Sequence, residues 1–206
     1  MQFDEDFRGF SFQKEGALDM RMDTTTDITA KDVVNGLSED ELGGIFRDLG
    51  EERFWRRGAR AIVDARRKKE ISTTKELADV IEKEIPRSHS LHPATKIFQA
   101  IRIYINKELE SIEGSLKKAI QVLAPGGKIG VLSFHSLEDR IVKNIFRTSE
   151  RPCICPPEFP VCVCGRVSKG KVITRKPIVP GKEELEENSR SKSAKLRVFE
   201  RRITKE

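Results

Sequence analysis

The spacing of apolar residues divides the chain into a helical first part and a mixed second part. Between residues 29 and 85, apolar side chains recur every three to four positions, and each group follows a residue that can cap a helix. Ser38 and Glu41, for example, form the capping-box pattern, in which each side chain satisfies a backbone N–H at the other position. Four helices are predicted to begin near Thr29, Ser38, Glu51 and Thr73 or Thr74. Residues 29–85 therefore predict a helical subdomain of roughly 55 residues, small enough that we expect it to pack on the rest of the chain.

A longer apolar stripe covers residues 94–123 and predicts either one long helix or two helices that break at Gly114-Ser115. Pro125-Gly126-Gly127 follows as a strong turn signal. The short run IGVLSF, from Ile129 to Phe134, predicts a strand that is buried on both faces of a parallel sheet. Helices that alternate with strands in this way are typical of a βαβ unit, so the predicted fold class is α/β.

Polarity changes abruptly after the predicted strand, at His135. Ser136 is predicted to cap the next helix, and Glu138 and Asp139 suit the positive first turn of that helix. Ligands of open α/β sheets bind beyond the carboxyl ends of the strands. Phe134, His135 and Ser136 are therefore candidate catalytic-site residues. The alternative is an ordinary strand-to-helix loop with a solvated polar edge.

Three further segments carry shorter patterns. Residues 137–146 predict a helix, residues 171–179 have strand character, and residues 196–203 predict a final strand that pairs antiparallel with its neighbour. Near the start of the chain, apolar and charged residues alternate from Leu18 to Asp23. That alternation fits either a half-buried strand or a loop locked by arginine–aspartate pairs.

Composition and charge narrow the class of protein. The 206 residues are 37% hydrophobic and 35% charged, with a net charge of +6. Residues 1–50 hold 12 acidic and 5 basic side chains, so the positive charge is concentrated after residue 50. A basic region suggests a polyanion partner, and solvated surface cations are the alternative. We expect a cytoplasmic protein, because no apolar run approaches the ~18 residues of a membrane span and no signal-peptide pattern opens the chain.

Two clusters of cations are candidate contacts for the phosphates of a polyanion, and the family resemblance described below identifies that polyanion as RNA. The predicted third helix, Glu51 to Lys69, has one face with a single acid, Asp64, and eight cations: Arg53, Arg56, Arg57, Arg60, Arg66, Arg67, Lys68 and Lys69. Cations of this density suit phosphate contacts, whose affinity depends on salt. The polar loop at residues 188–195 adds Arg190, Lys192 and Lys195. A solvated helix face and a loop that hydrogen-bonds to the end of the sheet are the respective alternatives.

All four cysteines lie close together, in a Cys153-x-Cys155 pair and a Cys162-x-Cys164 pair that are flanked by prolines. Four thiolates can hold a tetrahedral zinc ion, but the usual spacing is CxxC. Disulfides are rare in the cytoplasm. We therefore favour a proline-stiffened loop of reduced thiols over a structural zinc site, and expect no metal, with well under one zinc per chain after purification without chelator.

A complete α/β sheet needs more strands than this sequence predicts. The chain also contains no glycine-rich phosphate or dinucleotide loop, neither GxGxxG nor a P-loop. Either a partner supplies the missing half of a doubly wound domain, or the chain is a fragment.

Six segments in order resemble the bacterial S-adenosylmethionine-dependent methyltransferases that modify the N4 amine of a cytosine in 16S ribosomal RNA. They are RGFSF at 8–12, LDMRMD at 18–23, GEER at 50–53, HPATKIFQAIRIYINKEL at 92–109, LAPGGKIGVLSFHSLEDRIVK at 123–143 and SRSKSAKLRVFERR at 189–202. Each motif is weak alone, whereas six in register are specific. Two departures are small: Ala17 and Ser189 stand where the family usually has proline.

The resemblance implies the C-terminal part of a Rossmann-like class I methyltransferase domain with an α-helical insertion subdomain. Residues 1–28 would end the first half of that domain, 29–91 would be the substrate-recognition insertion, and 92–206 the C-terminal part. Gln2 matches a family cofactor contact, so S-adenosyl-L-methionine is the implied cofactor. The family's glycine-rich cofactor loop would lie before Met1, which would make Met1 an internal methionine and the chain N-terminally truncated.

The implied function is methylation of the small-subunit RNA, with this chain alone inactive and with no membrane partner. Phe10 and Phe12 join Phe134, His135 and Ser136 as candidates that hold a flipped base, since the amine must be placed in line with the methyl-sulfonium. A non-enzymatic, basic RNA-binding module is the alternative. Whether the protein is a homodimer is left open.

Overall fold

A computed structural model describes residues 9–12, 15–87 and 91–202, without the side chain of Ser189. Gln2, the predicted cofactor contact, and Arg8 lie outside these residues. The chain forms two compact units, one up to Glu108 and one from Leu109 onward. Among the described residues, no helix combines the length and the apolar character needed to cross a lipid bilayer.

The first unit is helical. Its helices are α1 (Ala30–Gly36), α2 (Glu39–Asp48), α3 (Trp55–Arg66), α4 (Thr74–Glu84) and α5 (Ala94–Asn106). The predicted caps Thr29, Ser38 and Thr73 are confirmed, and each forms a complete capping box with an acidic residue three positions later. Fully buried side chains from all five helices, such as Val34, Phe46, Ile62, Leu77 and Ile101, form one apolar core.

Helix α3 is shorter than the predicted Glu51–Lys69 segment. Glu51 has a left-handed backbone, with φ of 47°, which an α-helix does not accommodate. The Glu52 carboxylate instead accepts the Phe54 N–H at 2.8 Å. The helix therefore begins only at Trp55, and residues 50–53 of the sequence motif GEER form the turn before it.

The segment from Leu18 to Asp23 is a loop, not a strand. Leu18 and Met20 are buried in the helical core, and Met20 has a positive φ of 62°. The Arg21 guanidinium donates to both carboxylate oxygens of Asp19 at 2.8 Å. The alternation therefore comes from a loop locked by an arginine–aspartate pair, one of the two predicted alternatives.

The long apolar stripe after residue 94 breaks at Lys107, not at Gly114-Ser115. Lys107 is left-handed, with φ of 47°, and α6 runs through the predicted break from Glu108 to Val122. Asn106, the last residue of α5, ties this helix end to the loop at residues 20–22. Its side chain accepts the Met22 N–H at 2.6 Å and donates to the Met20 carbonyl at 2.9 Å and to the Arg102 carbonyl of α5 at 2.8 Å. The break therefore depends on a contact with a distant loop.

The second unit combines helices with a small antiparallel sheet. Its further elements are β1 (Lys128–Ser133), α7 (Ser136–Glu150), β2 (Gly170–Val172), α8 (Lys182–Glu187), a 3-10 helix (Ser189–Ser193) and β3 (Lys195–Arg201). The strand order is β1-β3-β2, and β3 runs antiparallel to both neighbours. The antiparallel final strand is thus confirmed. The predicted strand at 171–179 was too long, since only an isolated bridge at Ile178 continues it.

Strand β1 was predicted to lie in a parallel sheet with both faces buried, and within the described residues this is wrong. Its partner is the antiparallel β3, and its exposure alternates along the strand. Ile129 and Val131 pack on the apolar cluster around Phe146 and Phe199, while Leu132 is 54% exposed. Helices α6 and α7 supply the apolar side chains of that cluster, which explains the burial of one face of the strand.

Candidate functional site

The segment between β1 and α7 is closed by a capping box that centres on His135. His135, not the predicted Ser136, is the N-cap, and its Nδ1 accepts the Glu138 N–H at 3.3 Å. The Glu138 carboxylate accepts the Phe134 N–H at 2.7 Å and the His135 N–H at 3.2 Å. Ser136 is the first residue of the helix. The imidazole reaches the backbone donor that a serine cap would otherwise satisfy.

The same contacts set the charge of Glu138. Burial raises the pKa of this carboxyl, but its interaction with the His135 side chain and the hydrogen bonds from the Phe134 and His135 N–H groups outweigh burial and hold the pKa below its ordinary value. The His135 Nε2 lies 3.3 Å from a Glu138 oxygen and is buried without a hydrogen bond of good geometry. Glu138 is therefore an anion that orders this turn.

The structure places two of the predicted site residues, Phe134 and His135, in different environments. Phe134 presents a ring that is 52% exposed, as a base-stacking group would need. The His135 side chain is largely enclosed and engaged in the cap. Phe10 and Phe12, in the first unit, pack against its helical core, and the Phe12 ring lies 4.6 Å from that of His92.

One turn further along α7, Asp139 forms a buried ion pair with Arg197 of β3. The guanidinium donates to both carboxylate oxygens, at 2.6 and 3.0 Å. Lys195 approaches the same carboxylate at 3.8 Å from the more exposed side. The hydrogen bond from Arg197, and then the charges of Arg197 and Lys195, lower the pKa of Asp139 despite its burial. This pair joins two of the sequence motifs, FHSLEDR and SKSAKLR, and sequence reasoning did not find it.

The cationic face of α3 is partly neutralised by neighbouring helices. Arg60 lies 3.3 Å from Glu39 of α2, and Arg57 lies 4.0 Å from Glu84 of α4. Arg67, Lys69 and Arg66 are paired as well, with Asp64, Glu76 and the Val34 carbonyl. The single acid seen in the helix sequence therefore understates the negative charge around this face.

Arg53 and Arg56 remain exposed cations that form no salt bridge with any described residue. The Arg56 guanidinium lies 4.2 Å from the centre of the Trp55 ring, and Arg53 lies 5.7 Å from that of Phe54. Stacking of this kind holds a guanidinium in place and leaves its N–H groups free for phosphate.

Residues 1–202 match the MraW methylase family. The chain belongs to that family. Ribosomal RNA small subunit methyltransferase H of Lachnospira eligens is 57% identical over 203 residues, which cover 97% of this chain and 64% of the relative. The protein of the same name from Carboxydothermus hydrogenoformans is 54% identical over 202 residues, 97% of this chain and 65% of the relative. The chain thus spans just under two thirds of these relatives, and the family resemblance seen in its motifs is confirmed.

Sequence reasoning missed a basic pocket of about 270 Å³ between α7, β2 and β3. Its lining contains one acid, Glu150, and five cations, Lys143, Arg147, Arg151, Arg175 and Arg197. The first three of these cations recur at every fourth position along α7 and its C-terminus, so they share a helix face. That spacing was a readable signal of a cationic stripe.

The remaining predicted cations lie around the 3-10 helix and the start of β3. Arg190 and Lys192 are exposed on the 3-10 helix, which begins with the Asn188 side chain accepting the Arg190 N–H at 3.1 Å. Lys195 is committed in part to Asp139. Within this loop, Lys195 is therefore attached to α7 through Asp139, whereas Arg190 and Lys192 are exposed, and their contact with phosphate stays a prediction.

The four cysteines converge in the connection between α7 and β2. All four are free thiols, and their sulfur atoms lie within 4.8 Å of one another. The sequence favoured a loop of separate reduced thiols, and it could not show that the two cysteine pairs meet.

Proposed function

We propose that the complete protein to which these residues belong methylates the N4 amine of a cytosine in 16S ribosomal RNA, in the cytoplasm. The observation that carries this proposal is the match of residues 1–202 to the family together with relatives named as small-subunit RNA methyltransferases. S-adenosyl-L-methionine would supply the methyl group as an electrophilic sulfonium.

For methyl transfer, the protein has to position the cytosine amine, which is a poor nucleophile. The lone pair of the cytosine amine is conjugated with the ring, so the base must leave its stack and be held with the amine aimed at the methyl group. The exposed ring of Phe134 would stack on the flipped base, with His135 and Ser136 bordering it. The Glu138 carboxylate, which binds the Phe134 and His135 N–H groups, would keep this turn rigid.

RNA binding would use the two cationic surfaces. Arg53, in the turn before α3, and Arg56 on α3 would contact the RNA backbone, and Arg57 and Arg60 would be shared between acids and phosphate. In the second unit, two groups of cations would contact RNA phosphates: those around the 3-10 helix, Arg190, Lys192 and Lys195, and those that line the basic pocket, Lys143, Arg147 and Arg151. Contacts of this type position the RNA, and they carry no base specificity.

The cofactor would be held mainly by residues that the structure does not describe. Gln2 lies outside the described residues, and within them we find no glycine-rich loop that could cradle a nucleotide. No chemical step through the cofactor is therefore assigned to the described residues.

The second unit would be one edge of the family's Rossmann-like sheet, with residues 29–91 as the helical insertion. The order β1-β3-β2 with an antiparallel β3 leaves the outer edge of β1 without a partner strand among the described residues. An unpaired edge of this kind is a place where a further strand of a larger sheet would pair. Leu132, exposed on one face of β1, would be covered by other parts of the larger domain.

Methyl transfer to isolated small ribosomal subunits tests the proposal. A protein with the relatives' full length that carries these residues is incubated with cofactor and subunits, and the RNA is digested and analysed for N4-methylcytidine by mass spectrometry. The modified nucleoside is expected only with cofactor. RNA binding without any methyl transfer would instead favour the non-enzymatic RNA-binding module.

A further inference from the structure

The connection between α7 and β2, residues 151–169, leaves the body of the second unit and returns to the same place. The Lys169 N–H donates to the Ser149 carbonyl at 2.8 Å, so the two ends of the loop are tied together. Between these ends the chain forms only turns and bends, without helix or strand. Long loops of this kind are uncommon in compact domains unless something orders them.

Apolar packing does not order this loop. Ile154, Val161 and Val163 are 65%, 71% and 73% exposed, and Phe159 is 52% exposed. These side chains point away from any core, in contrast to the buried apolar residues of the flanking helix α7. A segment without a core of its own needs a crosslink or a metal to hold one conformation.

The cysteine sulfurs are the groups that do converge. The Cys162 Sγ lies 3.4 Å from the Sγ atoms of Cys153 and Cys164, and 3.8 Å from that of Cys155. Both thiols of each Cys-x-Cys arm therefore face one shared cluster, while Ile154 and Val163 between them are exposed.

These distances match a tetrahedral metal site and no disulfide. A disulfide joins sulfurs at about 2.05 Å. Four sulfurs placed at about 2.3 Å around one tetrahedral zinc ion are about 3.8 Å apart. The separations of 3.4 to 3.8 Å, with all four atoms within 4.8 Å, leave space at the centre of the cluster for one such ion.

We propose that Cys153, Cys155, Cys162 and Cys164 bind one structural zinc ion that fixes the loop between α7 and β2. Thiolates are soft ligands that select zinc among the abundant divalent cations, and four protein ligands leave no position for substrate or water. The ion is therefore structural and takes no part in methyl transfer. The geometry reverses the preference for separate reduced thiols that the sequence suggested, since the two Cys-x-Cys pairs bring all four sulfurs within 4.8 Å of one another.

Elemental analysis of the chain purified without chelator tests this inference. One zinc per chain is expected for the wild type, and loss of zinc for Cys153→Ser and for Cys162→Ser, one variant from each arm. Ile154→Ser is the matched control, because it changes an exposed side chain between two ligands and should keep the metal. Chelation should also make residues 151–169 the first site of proteolysis while α7 and the sheet stay intact.

A second measurement covers the case in which a cysteine variant does not fold. The wild-type chain, stripped of metal under reducing conditions, is titrated with Co²⁺ and followed by visible absorption. The bands of a tetrahedral tetrathiolate complex at one equivalent are expected, and zinc should displace them. The proposed site would be overturned by the absence of these bands or by zinc retained in both cysteine variants. Intact-mass evidence for two disulfides in freshly purified protein would also overturn it.

Discussion

Arg197 of β3 and Asp139 of α7 form a bidentate ion pair, with both residues at most 9% exposed. Val131 of β1 is the cross-strand partner of Arg197, and it packs on the same apolar cluster as Phe146 and Phe199. The pair thus fixes the helix that follows the candidate site to the central strand of the sheet. Two charged motifs that look like surface features in the sequence are in fact joined inside the fold.

Asp139→Asn should destabilise the second unit by about 3–5 kcal/mol, because it leaves the buried Arg197 guanidinium without its counter-charge. Lys195→Met is the control. Lys195 contacts the same carboxylate at 3.8 Å from a side chain that is 37% exposed, so its loss should cost at most about 1 kcal/mol. Urea denaturation followed by circular dichroism measures the free energy of unfolding of both variants. Equal losses of stability in the two variants would contradict a buried ion pair between Asp139 and Arg197.

The same pair predicts a pH dependence of stability. Asp139 has a pKa below its ordinary value of 3.8 in the folded state, so folding favours the ionised form. The stabilisation is therefore complete above the unfolded pKa and is lost as the pH falls through the lower, folded pKa. Wild type and Asp139→Asn should differ by a constant free energy near neutrality, and the gap should narrow in acid. A gap that stays constant through the acid range would show that the pair is not ionic.

His135 can be tested for two separate roles. In the full-length enzyme, His135→Ala should lower turnover on small subunits about ten- to hundred-fold. It should also cost about 1 kcal/mol of stability, because the Glu138 N–H loses its capping acceptor. Cofactor affinity should change little.

His135→Asn separates these effects, since asparagine is a good N-cap without an imidazole. Stability should return to the wild-type value while turnover stays low. If the asparagine variant turns over at the wild-type rate, His135 acts only through the cap and does not border the base.

Arg56→Ala should weaken binding to small-subunit RNA more than Arg60→Ala, because Glu39 already neutralises part of the Arg60 charge. The combined replacement of Arg56, Arg57 and Arg60 should also reduce the dependence of affinity on salt. The log–log slope should fall by about 0.7–0.9 for each phosphate that the variant no longer neutralises. Fluorescence anisotropy over a salt series measures both quantities.

Lys117→Ala supplies the control for this series. Lys117 pairs with Glu113, one turn away on α6, at 2.5 Å. Because its charge is already neutralised, replacement of Lys117 should leave the dependence of RNA affinity on salt unchanged. An unchanged slope for the triple variant as well would mean that the α3 face is merely solvated.

The 206 residues on their own should bind S-adenosylmethionine weakly or not at all, because their sequence lacks a glycine-rich nucleotide loop. Isothermal titration calorimetry on the isolated chain, beside a protein of the relatives' full length, makes the comparison. Micromolar affinity for the isolated chain would show that these residues contain a cofactor site of another kind.

The sequence by itself determined the features that depend on neighbouring residues. Caps at Thr29, Ser38 and Thr73, and the alternation of the final strand, were readable because an N-cap and a strand period involve residues only a few positions apart. Six ordered motifs were likewise sufficient to predict the family.

Only the tertiary structure decided the features that join distant residues. The helix break at Lys107 depends on Asn106 reaching the Met20–Met22 loop, and the acids that neutralise α3 come from other helices. The Asp139–Arg197 pair and the meeting of the two cysteine arms likewise join separate segments. Such contacts depend on how the chain folds back on itself, and the local spacing of residues does not specify that path.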